Sequence, residues 1–383
     1  MTSEIVVIGA GIVGCSVAYH LAVRGAKNIL VLERDSAPAT DLSASASCAR
    51  ATGGFRVQYG TEINVRLSLL ARAELLQLEA LTGVSAGYEQ SGYLFLASST
   101  GQLEELSAAM TVQRNAGLEV ARAVTPAEVH ALNPALNLEG IVGGTFCPWD
   151  GFVRPLEIRR GYQGAAEALG VRFQFGADLH LERADRGVRV LCDGVRLEAG
   201  AVVNAAGAWA AGILQGTGLK LPVKPVKRQI AATVSTSVLP ADMPMSIFVD
   251  DGFHLRVRDG RVLLLMPWDF DTQNLQFDAS WLPRVLEQAH IRVPALRHVP
   301  IEHGWAGLYE MSPDGHAILG RHWDAENLYL VNGSSGHGVM HSPALGKLLA
   351  EIVLNGRAAS LDVHALRPER FLENDPIRGN SLL

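Results

Sequence analysis

The sequence predicts an α/β (α+β) fold. A discontinuous, Rossmann-like nucleotide-binding unit carries an inserted, mainly antiparallel β-sheet unit. Three observations lead there. The chain opens with strand, glycine turn, helix, strand and acid within 33 residues. Its middle, residues 221 to about 301, alternates short apolar runs with turn signals such as Asp259-Gly260. Its last part, residues 328 to 354, returns to strand, glycine-rich loop and helix.

The opening unit justifies itself residue by residue. Glu4-Ile5-Val6-Val7-Ile8 is a β-branched run. It breaks at Gly9-Ala10-Gly11-Ile12-Val13-Gly14 and resumes as an apolar helical pattern through Ala22. Ile29-Leu30-Val31-Leu32 then ends at Glu33, followed by Arg34. This is the order of a dinucleotide-binding fingerprint. Gly9 permits the tight turn, Gly11 lets backbone approach a pyrophosphate, and Gly14 lets helix and strand pack closely. The anion would rest on free N–H groups at the positive end of the helix. Glu33 is placed to accept hydrogen bonds from a ribose diol. An acid there disfavours a 2′-phosphate, which points to an adenosine of the FAD or NAD type.

Composition sets bounds. At 383 residues the chain is long enough for two domains. Hydrophobic content of 48% and charged content of 19% are those of a globular protein. A net charge of −6 without a polybasic run gives no reason to expect nucleic acid as a partner. No apolar run approaches the roughly 20 residues that span a bilayer. With the core strand beginning near residue 5, no secretory signal is expected. Cys15, Cys48, Cys147 and Cys192 are far apart and form no metal pattern, so no metal is expected. Reduced thiols suit a cytoplasmic protein.

Further along, a small-residue stretch contains Ser43, Ser45, Ser47 and Cys48. It reads either as a flexible surface loop or as backbone lining an extended ligand. Gly53-Gly54-Phe55-Arg56-Val57-Gln58-Tyr59-Gly60 puts a cation and an aromatic behind two glycines. Helices are expected over residues 64–81, 100–116, 155–169, 281–290 and 343–354. Thr125-Pro126-Ala127-Glu128 reads as a capped helix start. Residues 143–151 read as a loop. Ala201-Val202-Val203-Asn204 is a buried strand ending in a second small-residue turn, Ala205-Ala206-Gly207-Ala208-Trp209. The nucleotide-binding unit is therefore assigned to residues 1–83, 141–220 and 304–383. The substrate-binding unit is assigned to 84–140 and 221–303.

By this point the chain resembles the D-amino-acid-oxidase-like (DAO) family of FAD-dependent oxidoreductases. That family includes sarcosine oxidases, glycine oxidases, dimethylglycine dehydrogenases and flavin-dependent proline dehydrogenases. The resemblance rests on the opening fingerprint, the Asn204-to-Trp209 turn, Met311-Ser312-Pro313-Asp314-Gly315, and Gly336-His337-Gly338. The Gly54-to-Gly60 segment is most similar to the sarcosine oxidase, dimethylglycine dehydrogenase and proline dehydrogenase β-subunit branch.

The resemblance implies FAD extended along the nucleotide unit, with pyrophosphate at Gly11 and ribose at Glu33. Gly9, Ile12, Val13, Gly14, Arg34, Ser45, Ser47, Cys48, Gly53, Gly54, Ala206, Gly207, Trp209, Gly307, Ser335, Gly336, His337, Gly338, Val339 and Met340 would complete the cofactor site. It also implies an enzyme oxidising a C–N bond of an amine or amino acid. Hydride would leave the α-carbon for flavin N5, and water would hydrolyse the imine. An amino acid needs a carboxylate clamp, and a planar guanidinium fork suits it. Arg56 is the first candidate and Tyr309 the second. His254 and Arg256, two apart on one strand, share one face, toward either the substrate or solvent; both are substrate-binding candidates. Tyr59 and Met340 are weaker pocket candidates.

Two positions depart from monomeric sarcosine oxidases. Met340 stands where those enzymes carry a carboxylate-binding lysine. Gly307 stands where they carry the cysteine that attaches FAD, so noncovalent FAD is expected. The partners implied are a small amine or amino acid and oxygen or another electron acceptor. Homo- or hetero-oligomers both stay open. Two competing readings remain: an FAD-dependent 2-hydroxy-acid dehydrogenase, and a non-catalytic FAD-binding assembly or subunit protein.

Overall fold

The computed structural model describes residues 2–270 and 273–379. In chain order the elements begin β1 Thr2–Ile8, α1 Ile12–Val23, β2 Ile29–Glu33, β3 Gly54–Phe55, α2 Glu62–Thr82, β4 Tyr93–Ala97 and α3 Thr100–Asn115. There follow β5 Arg122–Val124, α4 Pro126–Leu132, β6 Gly143–Cys147, β7 Gly151–Phe152, α5 Pro155–Ala168, β8 Arg172–Phe175, β9 Leu179–Ala184 and β10 Gly187–Cys192. Next are β11 Val195–Asn204, α6 Ala210–Ile213, β12 Lys224–Thr233, β13 Met245–Phe248, β14 His254–Arg258, β15 Arg261–Leu265 and α7 Leu282–Arg292. The series closes with β16 Ile301–Met311, β17 Ile318–Arg321, β18 Leu328–Asn332 and α8 Gly338–Asn355.

Two sheets result. The first has the order β17-β18-β11-β1-β2-β8, with β9 and β10 extending from β11. Strands β18, β11, β1, β2 and β8 run parallel. Their β-branched runs are buried, as a sheet covered on both faces requires. Helix α1 packs against both α5 and α8. The approach to α8 is close: a Cβ on Gly346 would lie 2.1 Å from Ser16 Oγ. The second sheet has the order β16-β12-β15-β14-β13-β4-β6-β5 and is antiparallel except where β13 runs with β4. It packs on α4 and α7 through its own core around Trp281, Phe253 and Leu255.

Three expectations change. First, residues 143–147 form strand β6, not a loop, and pair with β4 and β5 in the second sheet. The segment opens on two glycines because the strands approach closely: a Cβ on Gly144 would lie 2.0 Å from the Phe95 carbonyl oxygen. Second, the second sheet runs to Met311, since all of β16 pairs with β12. Residues 143–147 and 304–311, assigned above to the nucleotide-binding unit, thus pair within the second sheet. Third, α8 starts five residues before Pro343. Proline removes the N–H that would bond the Val339 carbonyl. The Ser342 hydroxyl takes that carbonyl instead, at 2.9 Å.

Candidate functional site

A cavity of about 460 Å3 runs between the first sheet and the inner face of the second. That volume is in the range of small-molecule sites. One end is built by the opening unit. Gly11 caps α1 without a side-chain hydrogen bond, and Gly9, Gly11, Ile12 and Val13 line the cavity. A Cβ on Gly11 would meet no atom within 4 Å, so the space beside its backbone is left for a ligand. Gly14 faces inward instead, where a Cβ would lie 1.9 Å from the Gly9 carbonyl oxygen. Gly9 itself needs φ +101°. Each glycine thus has a separate physical reason.

Glu33 fixes the rim. Its Oε2 accepts the Ala10 N–H at 2.7 Å and its Oε1 accepts the Asp35 N–H at 3.0 Å. Arg34 lies 4.4 Å over the Trp209 ring and donates to the Ser45 hydroxyl. Ala206, Gly207 and Trp209 complete this end.

The middle is walled by the small-residue stretch. Ser45, Ser47, Cys48, Gly53 and Gly54 all line the cavity. The stretch is tied to β16 rather than loose. Ser47 donates to the Leu308 carbonyl at 2.8 Å, Arg50 donates to the Ala306 carbonyl at 3.0 Å, and Trp305 donates back to the Arg50 carbonyl at 2.8 Å. Opposite lie Gly307, Ser335, Gly336, His337, Gly338, Val339 and Met340. A Cβ on Gly336 would lie 2.5 Å from the Tyr309 ring. Gly307 also borders the cavity and carries no sulfur for covalent attachment.

The far end is chemically distinct. Arg56 is 4% exposed, and its Nη2 lies 3.1 Å from His337 Nε2. Since guanidinium only donates, His337 Nε2 accepts, and its proton sits on Nδ1. Burial and the Arg56 charge hold His337 well below the usual histidine range. The Tyr59 ring lies under the guanidinium at 4.2 Å. The neighbouring backbone is pinned by Asp150, which accepts from the Val57 N–H at 2.6 Å and from Gln58 Nε2 at 2.8 Å. Burial pushes the Asp150 carboxyl up to about 7. His254 is within 2.8 Å of the Gly252 carbonyl through Nδ1. That carbonyl requires an Nδ1–H donor, which leaves Nε2 an acceptor. Burial brings His254 down to about 4, so the ring is neutral at pH 7. Tyr309 keeps 38% of its surface exposed, and Tyr309, Arg228, Met245, Ile247, Leu265 and Met266 line this end.

Two candidates lie elsewhere. Tyr59 is fully buried behind the wall and donates to Met340 Sδ at 2.8 Å. It supports Arg56 and Met340 instead of lining the cavity. Arg256 does not line it either. Its Nη1 holds the Thr52 carbonyl at 2.8 Å, and its guanidinium lies over the Phe152 ring. Residues two apart share a face of β14, but they meet different neighbours.

Sequence reasoning missed Arg228, Asp150 and Glu310. Arg228 sits in a strand whose local pattern singles out no cation. Asp150 was read only as part of a loop. Glu310 follows Tyr309, lines the cavity and accepts the Ser334 N–H at 3.3 Å; burial pushes its carboxyl up to about 7. Its position next to the candidate Tyr309 is the one signal that could have found it.

Among the described residues no cluster of metal-ligating side chains occurs and no helix is long and apolar enough to cross a membrane. The four cysteines are free and buried.

Comparison with known proteins agrees with this geometry. The profile of the family described as FAD dependent oxidoreductase (DAO) matches residues 4–352. FAD-dependent oxidoreductase domain-containing protein 1 of Xenopus laevis is 27% identical, across 98% of this chain and 84% of its own length. Mitochondrial dimethylglycine dehydrogenase of Rattus norvegicus is 28% identical across 96% of this chain; the chain spans 45% of that relative's length. The crystal structure of L-proline dehydrogenase from P. horikoshii superposes with a TM-score of 0.89 at 27% identity, covering 98% of this chain and 99% of that one. A dinucleotide cradle and a matched family profile over most of the length give one conclusion: this chain is an enzyme that uses FAD and belongs to the DAO family of FAD-dependent oxidoreductases.

Proposed function

We propose that this enzyme dehydrogenates the C–N bond of a small amino acid with a secondary, N-methylated or cyclic amine, of sarcosine or proline type. The observation that carries the reading is Arg56: a buried guanidinium held by a neutral histidine, at the apolar end of a cavity that opens onto the FAD cradle. Bound FAD supplies the hydride acceptor. Gly9, Gly11, Ile12, Val13 and Glu33 would hold its adenosine and pyrophosphate, and Ser335 to Met340 would border its ring. The protein's work at the other end is selection and orientation.

Arg56 pairs with the substrate carboxylate and so fixes which C–H bond faces the ring. The walls of Met245, Ile247, Leu265 and Met266 exclude water and favour a compact apolar side chain. The guanidinium and the low-polarity walls both disfavour a second cation, so the neutral amine binds in preference to the ammonium. His254 Nε2, a neutral acceptor, is positioned to hydrogen-bond the amine N–H. Tyr309 supplies a hydroxyl on the opposite wall. No lysine lines the cavity among the described residues. Lys227 is buried on β12 and turns to Asn274 at 3.2 Å. Reduction of oxygen passes through the superoxide anion, which a lysine beside the flavin would stabilise, so we favour a dehydrogenase that passes electrons to a carrier over an oxidase.

One observation favours a second reading. His254 Nε2 is an acceptor in the cavity, which a 2-hydroxy acid would need as a base for its hydroxyl proton. Anaerobic titration of the holoenzyme separates the two. Bleaching of the flavin band by sarcosine or proline, and not by lactate-type acids, supports amine oxidation; the reverse pattern replaces it with the hydroxy-acid reading. Admission of oxygen then tests the acceptor: rapid return of the band would overturn the dehydrogenase assignment.

A further inference from the structure

The glycine turn has a buried cation behind it that the site described so far does not use. Arg159 on α5 is 3% exposed. Its Nε donates to the Ala10 carbonyl at 3.0 Å, its Nη1 to the Ala39 carbonyl at 3.5 Å, and its Nη2 to Gln163 Oε1 at 2.6 Å. Gln163 in turn donates to Glu167 Oε1 at 2.8 Å. All three direct acceptors are neutral, so the guanidinium meets a carboxylate only through an intervening amide. A buried charge left in this state is costly unless something nearby uses it.

Its placement shows what uses it. Ala10 lies between Gly9 and Gly11, the glycines that border the cavity. The Ala10 carbonyl and the Gly11 N–H belong to one peptide group. A charge-assisted bond to that carbonyl polarises the group and strengthens the N–H as a donor. Ala10 is also held from its other side, where its N–H donates to Glu33. The field of Arg159 reaches the thiol of Cys48, another residue of the cavity wall.

We propose that Arg159 is a positioning residue for the cofactor, lending positive charge to the FAD pyrophosphate from behind the Gly9–Gly11 turn that its fork holds in place. The inference rests on the pyrophosphate lying at Gly11, as proposed above. It adds a side chain to a cradle otherwise made of backbone N–H groups, and that side chain lies about 150 residues from the fingerprint in sequence.

Two substitutions test it, with FAD-stripped protein as the material and flavin fluorescence quenching as the readout. Arg159→Gln removes the charge and keeps donors. Gln163→Glu, made in every test below together with Glu167→Gln so that the new carboxylate meets an amide and not the Glu167 carboxylate, leaves the fork in place and neutralises it with an adjacent carboxylate, which also guards against the case in which Arg159→Gln fails to fold. Both are expected to weaken FAD at least ten-fold and to weaken ADP, as competitor, by a similar factor. Adenosine, which lacks phosphate, should bind within two-fold of the parent. Gln163→Glu should raise the apoprotein melting temperature while it lowers FAD affinity, an opposition that a merely structural role would not produce. Unchanged FAD affinity in Gln163→Glu overturns the inference, as does equal weakening of ADP and adenosine. Gly11→Val is the control for the premise. If it leaves FAD affinity intact, the pyrophosphate placement fails; if it abolishes binding while Gln163→Glu has no effect, only the role of Arg159 fails.

Discussion

The two ends of the cavity are built on opposite plans. The end proposed for adenosine comes mainly from one stretch, Gly9 to Arg34, closed by Ala206, Gly207 and Trp209, and offers a ligand mainly backbone. The end proposed for substrate is assembled from Arg56, His254, Tyr309 and Met340, which stand on segments separated by up to 284 residues. Backbone recognition needs a fixed local geometry, so its residues must be neighbours and several must be glycine. Side-chain recognition needs only that distant segments converge, and each position can vary alone. One end is therefore general to an adenine dinucleotide, while the other can be retuned for a particular acid.

The largest expected effect tests whether the glycines at the first end really divide their labour. A Cβ on Gly14 meets a backbone oxygen at 1.9 Å, whereas one on Gly11 meets nothing. Gly14→Ala should destabilise the apoprotein by about 3 kcal/mol, at the upper end of overpacking costs. Gly11→Val should leave the apoprotein melting temperature within a degree or two and abolish FAD binding. Equal melting temperatures for the two variants would erase the distinction.

At the second end the corresponding test is Arg56→Met. It should keep the FAD spectrum and slow anaerobic flavin reduction by an amino acid about 100-fold, equivalent to about 2.7 kcal/mol. A secondary amine lacking a carboxylate should change by less than about three-fold. If both substrates lose rate equally, Arg56 orders the site without clamping a carboxylate.

This contrast also explains what the sequence made legible. The opening unit could be read because its strand, glycines, helix and acid are local and ordered. Cavity residues such as Ser45, Ser47 and Ser335 followed from the family resemblance, since the small-residue stretch alone left a surface loop equally open. Tyr59 and Arg256 did not follow. Period-two and short-range logic says which face a residue shares, but not which neighbour that face meets. Tyr59 is turned away by the bond of its hydroxyl to Met340, 281 residues on, and Arg256 by the Thr52 carbonyl. Strand β6 was hidden because close packing demanded Gly144, a residue that local propensity reads as loop. Asp150 and Arg159 escaped for the same reason: each acts through a backbone group that lies far from it in sequence.

Buried histidines mark the substrate end and its surroundings, and they give a pH signature that the adenosine end does not share. Burial lowers His254, His316, His337 and His341 near this end, and His20 and His322 elsewhere. A histidine lowered on folding contributes stability that is present above about pH 6.5 and lost as pH falls toward its folded value. Asp150 and Glu310 are raised to about 7, and their contribution has the opposite sense: it is present at low pH and lost as pH rises toward 7. Between pH 6.5 and 5 the six histidines outnumber the two acids. Each group counts for up to about 1.4 kcal/mol per pH unit. The melting temperature should therefore fall on going from pH 7 to pH 5. A constant or rising value would mean that the histidines open to water at little cost.

The smallest effect concerns the boundary of the substrate end. Tyr59→Phe removes one buried hydroxyl whose partner is the weak acceptor Met340 Sδ. The ring remains under Arg56, where its face meets the guanidinium at 4.2 Å. The Arg56 and Ser68 side chains also hydrogen-bond to that hydroxyl, but each keeps another acceptor, His337 Nε2 and His341 Nε2, so the cost to stability should be about 1 kcal/mol. Flavin reduction by the preferred amino acid should stay within about three-fold, since Tyr59 does not line the cavity and Arg56 keeps its contact with His337. A ten-fold loss of rate with unchanged FAD binding would bring Tyr59 back to the substrate and move the wall of the cavity outward by one residue.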